Sequence, residues 1–279
     1  MTAEVLSPFR EESSVAGRPL GTLEELRDIR VHAGLLYELV HRDLTVRYKR
    51  SLLGFFWTML HPLLLMLIFV VVFATMFRFQ TQHYETYFLS AYVAWNFFSQ
   101  TVVTSMMSVA WNGPLMKRVR VPPSIFTLST VLSGLVNLGL SLIVLFAIML
   151  VVHVPYSPAL AFLPVSLVIV SVFTFGVSLG LTALSVYFAD VGEMVQAGMP
   201  ALMYLTPVIY PRSIVPARYQ MLIKCNPLTY IVEIVRDPIY YGILPSHATL
   251  LIAIALAAAS LVGGWMIFRH LATRFHAHL

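Results

Sequence analysis

A dense run of basic residues, from His41 to Trp57, ends where a long apolar segment of the chain begins. Its cationic members are Arg42, Arg47, Lys49 and Arg50, and Gly54 follows them. Guanidinium groups in such a place can bind phosphate, because their planar fork donates to two phosphate oxygens at once. The same charges can instead anchor a helix end to acidic lipid headgroups. The residues by themselves leave both possibilities open.

The segments that would position this run are strongly apolar. The chain is 58% hydrophobic and 11% charged, whereas globular proteins average about 25% charged residues. No Asp, Glu, Lys or Arg occurs between Val121 and Ala189. Because one helical crossing of a bilayer needs roughly 20 apolar residues, this stretch is predicted to hold two crossings. The sequence therefore predicts an all-α, multi-pass membrane protein.

The predicted order of segments is an arm, an interface helix, a transmembrane domain and a tail. Residues 1–30 are a polar, flexible cytoplasmic arm, 31–51 an amphipathic helix on the membrane surface, and 269–279 a cytoplasmic tail. In the interface helix, Leu36, Leu39, Val40 and Leu44 fall on one face. The transmembrane domain, 52–268, contains six predicted spans, at 52–77, 87–111, 124–152, 160–188, 197–210 and 248–268.

Residues 212–245 interrupt the apolar pattern with several charges, so we predict that they lie outside the lipid as two short helices between spans five and six. Asn226 is the predicted N-cap of the second helix, with Pro227 at its first position and Gly242 at its end. An arrangement with both termini in the cytoplasm puts most of the 18 Lys and Arg residues on that side.

The residues argue against several classes of function. The predicted spans carry no charged residue near mid-membrane, unlike ion-coupled pumps. The chain has no G-x-x-x-x-G-K-[ST] motif, so an ATP-hydrolysing partner would be a separate chain. The single cysteine, Cys225, excludes an internal disulfide. We predict no catalytic residue, no metal site and no nucleic-acid partner in this chain.

Four motifs, in chain order, resemble those of one transporter family. The first is R-D-x-x-x-R-Y-K-x-S-x-L-G-x-x-W, from Arg42 to Trp57. The others are N-G-P-L-M-K-R-V-R-V-P-P at 112–123, T-P-V-I-Y at 206–210, and N-P-L at 226–228 with Arg236. Together they resemble the permease subunits of type-2 ABC exporters, and more closely the branch that exports lipid-linked polysaccharides such as O-antigen, capsule or teichoic acid. Ala189 stands where that family often has arginine, and the arm 1–30 is longer than usual.

The resemblance implies a homodimer in a bacterial cytoplasmic membrane, with two ABC ATPase subunits that bind ATP and magnesium. It implies that the basic run binds the pyrophosphate of a polyprenyl-linked glycan. The implied ATPase-coupling residues are Asn112, Leu115, Lys117, Arg118 and Arg120. The implied glycan-channel residues are Phe55, Phe56, Trp57, Tyr92, Trp95, Phe98, Tyr204 and Tyr210. The implied external gate contains Pro207, Pro211, Asn226, Pro227, Glu233 and Arg236.

Simpler interpretations stay open for these residues. Aromatic rings also form interfacial belts and pack helices together, and a basic loop also sets the orientation of a chain in its membrane. Two other functions compete, an ABC permease for a drug or small lipid and a polyprenyl-phosphate-dependent glycosyltransferase. The glycosyltransferase would need paired external carboxylates, whereas the first external loop offers Glu85, and Glu233 and Asp237 flank Arg236.

Overall fold

The structure is a computed structural model that describes residues 30–48, 56–76, 81–116, 121–188 and 190–272. The described residues contain helices and connecting turns but no strand, which confirms the predicted all-α class. The α-helices are α1 (Ala33–Tyr48), α2 (Phe56–Phe69), α3 (Tyr84–Trp111), α4 (Gly113–Met116), α5 (Ser124–Val151), α6 (Leu163–Tyr187), α7 (Asp190–Leu205), α8 (Gln220–Cys225), α9 (Pro227–Arg236) and α10 (His247–Ala272). The predicted arm and most of the predicted tail lie outside the described residues.

Shorter helical turns connect or extend these helices. α2 contains Pro62 and continues as a π-helical turn at Val70–Met76, and α9 continues as a π-helical turn at Asp237–Tyr241. Three 3-10 turns lie at Pro158–Phe162, Arg212–Ile214 and Ala217–Tyr219. The predicted stop at Gly242 is confirmed, since this residue ends the second π-helical turn with a φ of 65°, a value that glycine adopts without strain.

Three helical segments of the described chain are long and apolar enough to cross a membrane: Ser124–Val151, Pro158–Tyr187 and His247–Leu271. α3 is just as long as α5 but interrupts its apolar sequence with Ser, Thr, Asn and Gln. The predicted first and fifth spans correspond to the shorter helices α2 and α7. The membrane character of the chain is therefore plain, and the number of six crossings stays a prediction.

The predicted limits of the fifth span, 197–210, are wrong for its helix. α7 begins at Asp190 and ends at Leu205. Asp190 and Glu193 lie in its first turn, where the helix dipole stabilises negative charge. Thr206 precedes Pro207, and the residue before a proline is driven out of the α-helical conformation. The helix therefore starts in polar sequence and stops early.

α3 is the central helix, and it packs against α2, α5, α6, α7 and α9. Its side chains are buried over most of its length, with large rings such as Tyr87 and Phe88 fully enclosed. α6 pairs along its length with α10, and glycines 176 and 264 meet where these two helices cross. These contacts set the frame on which the polar residues described below are arranged.

α1 is amphipathic as predicted and packs against the N-terminal end of α5. Leu39 is fully buried, and Leu36, Val40 and Leu44 are half-buried on the same face. Leu39 contacts a small apolar cluster that includes Val109 of α3 and Ile125 of α5. This packing holds α1 against the C-terminal end of α3 and the N-terminal end of α5.

Candidate functional site

A polar groove lies between α1, α3 and α5 and has a volume of about 500 Å³. α3 contributes Asn96, Gln100, Thr104 and Ser108, which are four residues apart and therefore share one face of the helix. α5 contributes Thr130, Ser133, Asn137 and Ser141. The walls thus present amide and hydroxyl groups, and the charged side chains that line the groove, Arg42 and Asp43, come from α1.

Arg42 closes the α1 end of the groove through a hydrogen bond to Asn112, which follows α3. Its Nη1 donates to Asn112 Oδ1 at 2.9 Å, and its Nη2 lies 2.9 Å from the carboxylate of Asp43. The amide of Asn112 in turn donates to the Ser108 carbonyl at 2.7 Å. The structure therefore brings together one residue predicted to bind phosphate and one predicted to couple to the ATPase.

Most other residues of these two predicted sets, and three of the predicted channel residues, cannot be placed. Outside the described residues, or in helix ends whose side chains are not described, lie Arg47, Lys49, Arg50, Gly54, Phe55, Phe56, Trp57, Lys117, Arg118 and Arg120. Leu115 is half-buried in α4 and packs against the apolar cluster around Leu39. Residues 112–116, which lead into the basic loop, are thus held near α1 by the bond from Arg42 and by the apolar packing of Leu115.

The predicted channel rings of α3 are buried inside this chain. Tyr92, Trp95 and Phe98 are each 4% exposed. The ring of Phe98 lies 6.0 Å from Trp95 and 5.7 Å from Phe173 of α6, measured between centroids. Helix packing accounts for these positions, and a role in glycan passage stays a prediction. Of the two rings near the end of α7, Tyr204 is 56% exposed, and the hydroxyl of Tyr210 donates to the Tyr204 carbonyl at 2.7 Å.

A second cluster of polar contacts surrounds the irregular segment 206–210 after α7, whose first four residues are buried. Non-helical backbone in a membrane protein is stable when protein groups satisfy its hydrogen bonds. Side chains of α3 and α9 do so here. The Tyr84 hydroxyl donates to the Ile209 carbonyl at 2.8 Å, and the Tyr87 hydroxyl donates to the Tyr210 carbonyl at 2.9 Å. The Arg236 guanidinium donates to the Val208 carbonyl at 2.9 Å. Two distant helices therefore hold this segment in one conformation.

Several predicted gate residues meet in this cluster. Arg236 is 3% exposed, and its guanidinium carbon lies 4.0 Å from the centroid of the Tyr87 ring. The Asn226 side chain accepts from the Leu228 amide at 3.0 Å, which confirms the predicted N-cap of α9, and it donates to Thr206 Oγ1 at 2.9 Å. Asn226 thereby joins the start of α9 to the end of α7.

The remaining gate residues border the same cluster. Pro207 is buried, Pro211 is half-buried, and Pro227 occupies the first position of α9. Glu233 forms an ion pair with Arg212 at 2.8 Å. Burial raises the pKa of Glu233, and burial likewise raises the pKa of Asp237 to about 6, while nearby arginines act in the opposite direction on both groups. Arg236 and Arg212 therefore compensate two partly desolvated carboxylates.

We expect Arg236→Met to destabilise the protein by about 2–4 kcal/mol. The change leaves the buried Val208 carbonyl without its donor, which costs about 1–3 kcal/mol, and removes the cation–π contact with Tyr87, worth about 1–2 kcal/mol when desolvated. The melting temperature of the detergent-solubilised chain measures the effect. Arg218→Met is the matched control, because Arg218 is exposed in the same segment, 212–245. An equal melting temperature for both variants would show that the Arg236 bond contributes nothing.

Known proteins of similar sequence identify the family of this chain. The family described as ABC-2 type transporter matches residues 34–240, which span most of the described helices. The chain belongs to this family. It is also 28% identical over 246 residues to an O-antigen export system permease protein RfbA of Klebsiella pneumoniae, covering 86% of this chain and 93% of the relative. The protein of the same name from Myxococcus xanthus is 30% identical over 246 residues, covering 86% of this chain and 92% of the relative.

The groove of this ABC-2 transporter chain was not predicted from the sequence, because only charged residues were considered within the spans. A signal was present, since Asn96, Gln100, Thr104 and Ser108 recur every four residues in α3. Tyr84 and Tyr87 were missed for a different reason. Their hydroxyls bond a segment more than a hundred residues away, and no local pattern reports that contact. Among the described residues, no group of three or more His, Cys, Asp or Glu side chains could hold a metal ion.

Proposed function

We propose that this chain is the permease subunit of an ABC transporter that exports a polyprenyl-pyrophosphate-linked polysaccharide across the bacterial cytoplasmic membrane. The observation that carries this proposal is the similarity, over 92–93% of their length, to proteins named as O-antigen export permeases. Because the similarity extends over nearly the full length of these proteins, it is not limited to one pair of helices.

Energy for transport comes, in this proposal, from two copies of a separate ABC ATPase bound to a homodimer of the permease. Residues 112–123 contact the ATPase at the cytoplasmic face, and residues 212–245 lie on the opposite face. Two contacts support a mechanical link between the coupling segment and α1. Arg42 bonds Asn112, and Leu115 packs against the apolar cluster around Leu39. Movement of the coupling segment would move α1, and with it the basic run that receives the substrate phosphate.

The polar groove supports a carbohydrate cargo over the alternative of a drug or small apolar lipid. A permease for apolar compounds needs few polar groups in its binding site, whereas this groove carries amides and hydroxyls on two helices beside its apolar side chains. The glycosyltransferase alternative gains no support from the described carboxylates. Glu233 is paired with Arg212, and Asp237 is a neighbour of Arg236.

Deletion of the gene in its own host tests the proposal. We expect the deletion to remove the polysaccharide from the cell surface and to accumulate the lipid-linked polymer inside the cell. Restoring the unsubstituted chain should restore surface display, and a hydrolysis-deficient ATPase partner should reproduce the deletion. Surface polysaccharide at its normal level in the deletion strain, measured by sugar analysis of intact cells, would overturn the proposed function.

A further inference from the structure

We propose that the groove between α3 and α5 binds the neutral, hydroxyl-rich sugar portion of the exported molecule. This inference rests on the proposed function and adds a binding site to it. The site adjoins the basic run predicted to hold the pyrophosphate, because Arg42 closes its α1 end, and it is distinct from the aromatic rings predicted to line a channel. Its defining residues are Asn96, Gln100 and Thr104 of α3 and Ser133, Asn137 and Ser141 of α5.

The chemistry of the walls matches a neutral carbohydrate. Carboxamides and hydroxyls each donate and accept hydrogen bonds, which is what the hydroxyl groups of a sugar require from a partner. The groove residues of α3 and α5 carry no charge, so they offer no counter-charge to an anionic or cationic ligand. The cation at the α1 end, Arg42, already bonds Asp43 and Asn112. Neutral groups that bind weakly and repeatedly suit a ligand that must move along them.

Within a membrane, polar side chains at these positions cost free energy unless they face polar groups or water. Gln100 is exposed on α3, and Asn96 and Thr104 are half-exposed beside it. Transfer of an amide into hydrocarbon without a hydrogen bond costs several kcal/mol, about 4–8 on the cyclohexane scale. On the facing wall, the Ser133 hydroxyl is buried and has no hydrogen-bond partner among the described residues. A lipid-filled groove would leave the Gln100 and Thr104 side chains unsatisfied, whereas a hydrated sugar chain satisfies them.

The dimensions of the groove suit several sugar rings. From Asn96 to Ser108 the polar face of α3 extends about 18 Å at the helical rise per residue. The volume of about 500 Å³ lies within the range of small-molecule sites, roughly 300–1,000 Å³. Gly134 brings the two walls together, because a Cβ atom there would lie 2.5 Å from Thr101 Oγ1. The base of the groove is thus set by direct contact of α3 with α5.

Cysteine labelling tests the site in the assembled transporter. Cys225 is the single cysteine, so Cys225→Ser provides a clean background. Gln100→Cys and Thr104→Cys place a thiol on the groove wall. Ile143→Cys is the matched control, because Ile143 is 57% exposed on α5 but faces away from Ser141 and does not line the groove. The chain is assembled with its ATPase in inverted membrane vesicles, and a charged, water-soluble methanethiosulfonate reagent is applied with and without the lipid-linked glycan.

We expect the reagent to modify the groove positions and to spare Ile143→Cys. The lipid-linked glycan should slow the modification, and modified Gln100→Cys should lose export. Without any label, Gln100→Leu should lower export about tenfold, the effect of one lost hydrogen bond of ordinary strength. Ser99→Ala, at the neighbouring position outside the groove, should export normally.

Three results would overturn the groove as a sugar site. They are equal reactivity at positions 100 and 143, normal export by Gln100→Leu, and a disulfide between two copies of the Gln100→Cys chain, which would identify the groove as a contact between copies. If the unsubstituted chain moves no glycan in these vesicles, the proposed function fails and the sugar site falls with it. If that chain exports and the groove variants export equally well, the groove alone is refuted.

Discussion

Gly264→Ala is expected to prevent the chain from folding, whereas Gly263→Ala, one residue earlier, is expected to leave it intact. The difference comes from the crossing of α6 and α10. A Cβ atom on Gly264 would overlap the backbone carbonyl of Gly176, and a Cβ atom on Gly176 would overlap the backbone of Ser260 and Leu261. A Cβ atom on Gly263 would meet no atom within 4 Å.

Backbone atoms cannot rotate away from the added methyl group, so the two helices would have to separate. Overpacking of side chains in a core costs about 1–3 kcal/mol, and a clash between two backbones should exceed that range. α6 and α10 form the most extensive helix pair of the described chain, and the Ser260 hydroxyl donates to the Phe173 carbonyl across the same crossing at 3.2 Å. Small residues at such crossings let membrane helices pack closely without a hydrophobic driving force.

Size-exclusion chromatography of the fluorescently tagged chain in mild detergent measures the folded fraction. We expect Gly263→Ala to give the peak of the unsubstituted chain and Gly264→Ala to give aggregate or no peak. Alanine at position 263 even favours the helix slightly, by about 1 kcal/mol relative to glycine. Equal peaks for the two variants would mean that the close approach of α6 and α10 is not required for folding.

The helices were predictable because their composition leaves few alternatives. A long stretch free of charged residues can be stable only as membrane helices, and the apolar face of α1 follows from a spacing of three and four residues. The cap at Asn226 was also visible, since an asparagine followed by a proline is a helix start whatever surrounds it. Each of these features depends on neighbours in sequence.

The irregular segment 206–210 could not be predicted, because its stability comes from distant side chains. Local sequence predicted an apolar helix through Tyr210, and the helix ends at Leu205. The carbonyls released there are bound by Tyr84, Tyr87 and Arg236. A proline in the sequence indicates a break in the helix, but it does not indicate which residues will satisfy the broken backbone.

The candidate site was predicted in part. The role of Asn226 and the importance of Arg236 followed from short motifs, and both lie in one contact cluster. The burial of the α3 rings was not predictable from their residue type, because aromatic side chains occur in helix packing, in interfacial belts and in binding surfaces alike. Trp95, Phe98 and Gln100 lie close together in the sequence of α3. Only the structure shows that the two rings are buried and that the Gln100 amide is exposed.

Arg47→Ala combined with Lys49→Ala is expected to reduce polysaccharide export at least a hundredfold, to near the background of the deletion strain. Each residue would contribute a charge-assisted bond to the substrate pyrophosphate, worth about 1.5–3 kcal/mol, and two such losses correspond to a factor of about 10²–10⁴. The positions lie in the basic run that continues α1 toward α2. Surface polysaccharide is measured on intact cells, with the amount of permease in the membrane determined in parallel.

Arg47→Lys separates phosphate binding from simple anchoring to lipid, the two interpretations that the sequence leaves open. Lysine keeps the positive charge, so anchoring to acidic headgroups, worth about 1 kcal/mol per charge, should persist and export should be normal. Lysine binds phosphate only as a point charge, whereas bidentate binding needs the planar fork of arginine, so export should fall below normal. Normal export by Arg47→Lys would exclude bidentate binding at this position. Normal export by the double alanine variant at normal membrane levels would assign this run to anchoring and would leave the substrate phosphate to be held elsewhere.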